Sequence, residues 1–236
     1  MTLIGPRCGF EQFTVSGWRG PTIGLIHRWP MDGSSVSGTA ILDVVGGLNG
    51  TASGAGVSSV TGPASGLTAR GFDGSSWISL ASSPIDFSSA HSVSAWCKVA
   101  DNSVVSSSGA SQTFLNFNTD SSNCVRFVLN EVIPGGFVVA ITSQNISYGS
   151  MHLDTVISSG TWVHLGYTFS GSDNVTLYAN GVPISRVLYS AWPIGSANII
   201  GAKELAAGCI TGAMYNVVIY NRQLSDGEVL AVYNAK

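Results

Sequence analysis

The sequence predicts an all-β domain, a two-sheet antiparallel sandwich closed by one short C-terminal helix. Three observations carry that reading. Apolar and polar residues alternate over short runs such as "HSVSAWCKVA" and "TWVHLGYTFS", the period-2 pattern of half-buried strands. The runs are broken by turn residues, with 29 glycines in a chain of 236 residues. A helix-start signal stands only at the end, in "GAMYNVVIYNRQLSDGEVLAVYNAK".

In chain order, residues 1–22 are irregular, with Gly5-Pro6 and Gly20-Pro21 and no sustained period. They read as an N-terminal arm that packs on a neighbour or on the domain itself. The domain runs over 23–236. "GLIHRW" and "AILDVV" are its first strands, followed by the Gly/Ser-rich "GGLNGTASGAGVSS". "LTARGFDG" and "SWISL" predict a hairpin joined through Asp73-Gly74. In "HSVSAWCKVA", Val93, Ala95, Cys97 and Val99 share one face, with Ser92, Ser94, Trp96 and Lys98 on the other. "QTFLNF", "CVRFVLN" and "GFVVAITS" continue the series. "TWVHLGYTFS" sets Val163, Leu165, Tyr167 and Phe169 against Trp162, His164 and Thr168. "NVTLYANGVPIS" is a hairpin whose Asn180-Gly181 supplies the positive φ values of a type I′ turn.

The closing segment reads as one strand, "ITGAMYNVVIYN", and one helix. Ser225 and Glu228 have capping-box spacing, and Asp226 in the first turn suits the helix dipole. Leu230 and Tyr233 are expected to form the apolar face that docks on the sandwich, and Gly227 shortens the helix by weakening it.

Composition narrows the function classes. Hydrophobic residues make up 44% and charged residues only 10%, so polarity comes from Ser, Thr, Asn and Gly. Polar surfaces with sparse charge are common among extracellular and virion proteins. The net charge is -3 and the ten Lys and Arg are scattered singly, which argues against nucleic acid as a partner. No apolar run approaches membrane-spanning length, so no membrane insertion is expected. The N-terminus has no classical signal peptide, as in a phage structural protein that leaves its cell on lysis or a chain whose leader has been removed. Cys8, Cys97, Cys124 and Cys209 are far apart, without metal-site spacing, and are expected to be free thiols.

Several blocks in order resemble the laminin-G-like, concanavalin A-like jelly-roll domains of bacterial and phage proteins. They are "HRWPMDGSSVSGTAILDVVGGLNGT", "ARGFDGSSWISL", "HSVSAWCKV", "GTWVHLGYTFSGSDNVTLYANGVPI" and "GAMYNVVIYNRQLSDGEVLAVYN". The resemblance spans about Ile23 to Asn234, its last two blocks being the most specific. It implies a jelly-roll sandwich and leaves function open, because that scaffold serves lectins, adhesion modules, glycosidases and structural proteins.

Glycosidases on such a scaffold need two convergent carboxylates, and no closely alternating acids occur. No nucleophile-elbow or metalloprotease motif occurs either, so no enzyme activity is expected. The resemblance implies one rim Ca²⁺, and by position Asp32, Asp43, Asn49, Asp73 and Asn216 match its ligands. Asn216 stands where relatives often carry an acid. Asp32 and Asp73, each beside a glycine, equally suit turn initiation. For glycan contact, Trp96 and Trp162 fall on the more polar parity of their strands, as an aromatic platform would or as core covered by the helix would. Trp77, Trp192 and Tyr148 lie at turns or strand ends and are candidates for exposed contacts.

The expected function is a non-catalytic recognition or adhesion module that binds a glycan or a protein surface on a virion or cell surface. Its rival is a structural virion protein, a head-decoration or tail component whose arm of residues 1–22 contacts neighbouring subunits.

Overall fold

A computed structural model describes residues 18–54, 56–86, 88–100, 113–120, 123–133, 136–142, 151–152, 158–172, 174–188, 197–202 and 208–236. Cys8, Tyr148 and Trp192 lie outside these residues, as do residues 1–17 of the expected arm and the side chain of Cys124.

The chain forms β1 (Leu25–Trp29), a 3-10 turn (Gly33–Ser35), β2 (Val36–Ser37), β3 (Ala40–Ile41), β4 (Gly50–Ser53) and β5 (Ser58–Thr61). Longer strands follow: β6 (Thr68–Asp73), β7 (Trp77–Leu80), β8 (His91–Val99), β9 (Thr113–Asp120), β10 (Asn123–Ile133) and β11 (Gly136–Thr142). Then come β12 (Met151–His152), β13 (Trp162–Phe169), β14 (Asn174–Ala179), β15 (Val182–Leu188), β16 (Ala197–Ile200) and β17 (Thr211–Tyr220). The helix α1 (Asp226–Asn234) closes the chain.

These strands build a two-sheet antiparallel jelly-roll sandwich. The first sheet runs β15-β14-β13-β8-β17-β6-β5, with β1 also paired to β17. The second runs β12-β11-β10-β9-β16-β7-β4-β3-β2. Alternation decides which residues meet between them. Val93, Ala95, Cys97 and Val99 of β8 and Val163, Leu165, Tyr167 and Phe169 of β13 are buried against Ile78, Leu115, Phe117 and Ile200 of the second sheet. Each large apolar side chain so buried contributes about 1.5–3 kcal/mol. A one-residue slip would turn the whole set outward, so burial fixes the register. Cys97 and Cys209 are buried free thiols.

The outer face of β8, β13 and β17 is covered as well. Leu224, Val229 and Val232 pack on Tyr178, Val218 and Tyr220, and Tyr233 packs with Trp96, Tyr215 and Trp162. The docking face of α1 therefore differs from the sequence expectation. Val229 and Val232 seat it together with Tyr233, while Leu230 remains 44% exposed. The capping box is formed as the spacing predicts: Glu228 N–H donates to the Ser225 hydroxyl, and Ser225 N–H donates to the Glu228 carboxylate.

Asn180 (φ 51°) and Gly181 (φ 77°) join β14 to β15 in the predicted two-residue hairpin. Asp73-Gly74 does not join a hairpin. β6 belongs to the first sheet and β7 to the second, so this turn carries the chain from one layer to the other. Gly74 at φ 85° makes the corner, and its N–H donates to the Ile210 carbonyl, which ties the corner to the residue before β17. "AILDVV" also departs from expectation. Only Ala40–Ile41 is extended, because Asp43 binds the amides of the residues after it and pulls the chain into a loop.

Candidate functional site

The residues matched to a calcium site each have hydrogen bonds of their own. Asp43 is the most deeply placed. Its Oδ1 accepts from the amides of Arg28, Val45 and Gly46, and its Oδ2 from the amide of Leu48 and from His27 Nδ1 at 2.6 Å. Burial pushes this carboxyl up, but the His27 hydrogen bond and the amides outweigh it and hold Asp43 below the usual carboxylate range. Asn49 does meet Asp43, but its Oδ1 accepts from the Asp43 amide and so faces a donor.

Asp32 caps the 3-10 turn by accepting from Ser34 and Ser35 N–H. Asn216, in a left-handed backbone conformation (φ 52°), accepts from Arg28 Nε at 2.8 Å. Asp73 sits in the corner between β6 and β7. Among the described residues no group of three or more His, Cys, Asp or Glu side chains is placed to hold a metal ion. The donors already on Asp43 do not fit a cation.

Other described carboxylates and the His91 imidazole also have partners, whereas His164 Nδ1 is buried without one. Asp86 binds Ser88 and Ser89; Asp226 binds Tyr178 Oη and Arg186; Glu228 binds Arg222 through two hydrogen bonds. His91 donates from Nδ1 to the Ser89 carbonyl, leaving Nε2 to accept from Tyr167 Oη at 3.0 Å.

The aromatic candidates separate clearly. Trp96 is 3% exposed. Tyr233 stacks on it, and Lys236 Nζ lies 4.6 Å from its ring centroid. The polar parity of "HSVSAWCKVA" thus marks a face covered by α1, and Trp96 is a seat for the helix. Trp162, opposite Lys98 on the neighbouring strand, is half-buried with Lys98 Nζ 5.1 Å from its ring centroid.

Trp77 and Asp73 flank the inter-sheet corner, four residues apart in sequence, and both lie near Cys209. Because Ile78 and Leu80 point into the core, Trp77 and Ser79 point out from the second sheet. There they pair with Ser53 and Thr51 of β4. Trp77 is half-buried, packed on Ile199, Ala202 and Cys209. Asp73 is exposed; its Oδ1 accepts from Ser75 N–H, Ser75 Oγ and Ser76 Oγ, and its Oδ2 accepts nothing among the described residues. Those hydrogen bonds from Ser75 and Ser76 hold the Asp73 carboxyl below its ordinary range, so it remains an anion. The corner therefore carries the partly buried Trp77 indole, the Asp73 carboxylate packed against Gly56, and the hydroxyls of Thr51, Ser53, Ser75 and Ser79. Sequence reasoning had assigned Trp77 and Asp73 to different sites, since the corner that unites them is a feature of topology.

A laminin G-type family model, described as the concanavalin A-like lectin/glucanases superfamily, matches residues 72–230. The chain belongs to that superfamily. No curated protein matches it. Solved structures share the superfamily fold at low identity. Domain 4 of AbnA, a GH43 extracellular arabinanase from Geobacillus stearothermophilus solved with arabinotriose, is similar at TM-score 0.68 and 19% identity, covering 89% of this chain and 98% of that one. The binding domain of Paraclostridial Mosquitocidal Protein 1 is similar at 0.65 and 20%, covering 90% of this chain and 52% of that one. Trypanosoma rangeli sialidase, with 2,3-difluorosialic acid as a covalent intermediate, is similar at 0.65 and 15%, covering 90% of this chain and 33% of that one. The same fold thus occurs in a domain of an arabinanase and in the binding domain of a mosquitocidal protein.

Proposed function

We propose that this domain is a non-catalytic recognition module that binds saccharide at the corner between β6 and β7. The observation that carries the reading is the partly exposed indole of Trp77 on the same corner as the exposed, ionised Asp73, on a hydroxyl-rich, sparsely charged margin of the second sheet. A sugar offers C–H groups to an aromatic face and hydroxyls to acceptors, and this corner has both complements. A hydroxyl donating to an ionised carboxylate makes the stronger, charge-assisted kind of hydrogen bond. The likeness to a domain solved with arabinotriose supports the same class of ligand. Its setting, in this proposal, is display on a virion or cell surface as an adhesion module.

The second reading, a structural virion component anchored through residues 1–22, has one observation in its favour. The Pro21 carbonyl accepts from both Trp18 Nε1 and Tyr220 Oη, and the Ile23 carbonyl accepts from Arg222. The end of the arm is thereby fastened beside α1.

A glycan array with the purified chain, read with Ca²⁺ and with EDTA, tests the first reading. Selective binding that disappears in Trp77→Ala and weakens about tenfold in Asp73→Asn supports it. A blank array in both buffers overturns it and leaves the structural reading, for which deletion of residues 1–22 would abolish particle attachment.

A further inference from the structure

We infer that in this chain His27 stands where a metal ion would otherwise organise the loop from Asp43 to Asn49, so that the loop is built without metal. A carboxylate has about four lone-pair sites. Asp43 receives five donors, four backbone amides and His27 Nδ1, and its side chain is fully buried. A cation entering there would meet N–H groups instead of oxygen lone pairs.

The other oxygens that a metal would use are turned to the same purpose. Asn49 Oδ1 accepts from Asp43 N–H, and the Leu48 carbonyl accepts from Trp29 Nε1 at 2.9 Å. The His27 ring is fixed from one side by Trp29, with centroids 5.3 Å apart and planes at 19°. A Cβ added at Gly46 would clash with His27 Nδ1 and with the Ile26 carbonyl oxygen. The glycine is thus required by the imidazole. With the ring stacked on Trp29 and Nδ1 on Asp43, one side-chain donor joins four backbone amides in fixing the Asp43 carboxylate.

The test is the stability of the full chain. Melting temperature of the wild type should be the same after EDTA treatment and after addition of millimolar Ca²⁺. His27→Ala should lower it by about 5 °C and open residues 43–49 to hydrogen exchange, with no rescue by Ca²⁺. A rise of several degrees when Ca²⁺ is added to the EDTA-treated wild type would overturn the inference. So would a His27→Ala protein as stable as the wild type, or one restored by Ca²⁺. If His27→Ala does not fold, His27→Gln retains a donor and should fold with the same indifference to Ca²⁺; a Ca²⁺ requirement in that variant would also overturn it.

Discussion

Tyr233 stacks on Trp96 with ring centroids 5.1 Å apart and an interplanar angle of 26°. The contact joins the last turn of the helix to a central strand of the first sheet. Lys236 Nζ lies within 4.7 Å of the Tyr233 ring centroid as well. Trp96 therefore belongs to the helix seat, separate from the corner proposed to bind saccharide. Tyr233→Ala should cost about 1–2 kcal/mol in urea denaturation, because the ring is only half-buried. Saccharide affinity should not change.

The helix start offers a paired prediction. Ser225→Ala removes the capping hydroxyl and should destabilise by about 1 kcal/mol. Gly227→Ala should stabilise by up to about 1 kcal/mol, since nothing lies within 4 Å of the Cβ it would gain. Chemical denaturation of the two variants should move the midpoint in opposite directions.

Gly46→Ala should be among the most damaging single-methyl additions. The new Cβ would meet the Ile26 carbonyl and the His27 ring, and neither can move without breaking the Asp43 hydrogen bonds. A loss of about 2 kcal/mol or more is expected, with increased hydrogen exchange at residues 43–49. By contrast, Gly38→Ala meets no atom within 4 Å and costs only the strain of its φ of 62°.

Stability should fall in mild acid. Burial lowers the pKa of His91 to about 4, partly opposed by its bond to the Ser89 carbonyl and the charge of Asp86. Burial lowers that of His164 to about 3, and the charge of Lys236 lowers it further. Both folded values lie below the ordinary 6.5, so the unfolded chain binds more protons as pH drops below 6.5. The stability they contribute is complete above 6.5 and declines toward 4, by up to about 1.4 kcal/mol per pH unit for each ring. Glu228 adds a further loss below pH 4.5, because its hydrogen bonds to Arg222 hold its pKa at about 2. Urea midpoints between pH 7.5 and 4.5 check this, and His91→Gln should flatten the slope.

Much of the fold was legible because its signals are local. The type I′ turn at Asn180-Gly181, the Ser225/Glu228 capping box and the alternation of β8 and β13 each need only neighbouring residues. What local signals could not carry was layer assignment. Asp73-Gly74 reads as a hairpin turn in sequence, yet it bridges the sheets, because strand partners are chosen by long-range pairing of β6 with β17 and of β7 with β4 and β16. The same limit affected the site. Trp96 has an outward parity, and only the packed helix shows that the outward face is covered. Asp43 looked like a metal ligand, since its five donors come mostly from backbone amides, which leave no trace in residue identity.

The most direct test of the central claim is calorimetric titration of a saccharide selected on the array into wild type, Trp77→Ala and Trp162→Ala. The account predicts that Trp77→Ala abolishes binding while Trp162→Ala, on the other sheet, binds as the wild type does. Unchanged affinity in Trp77→Ala, or loss only in Trp162→Ala, would contradict it.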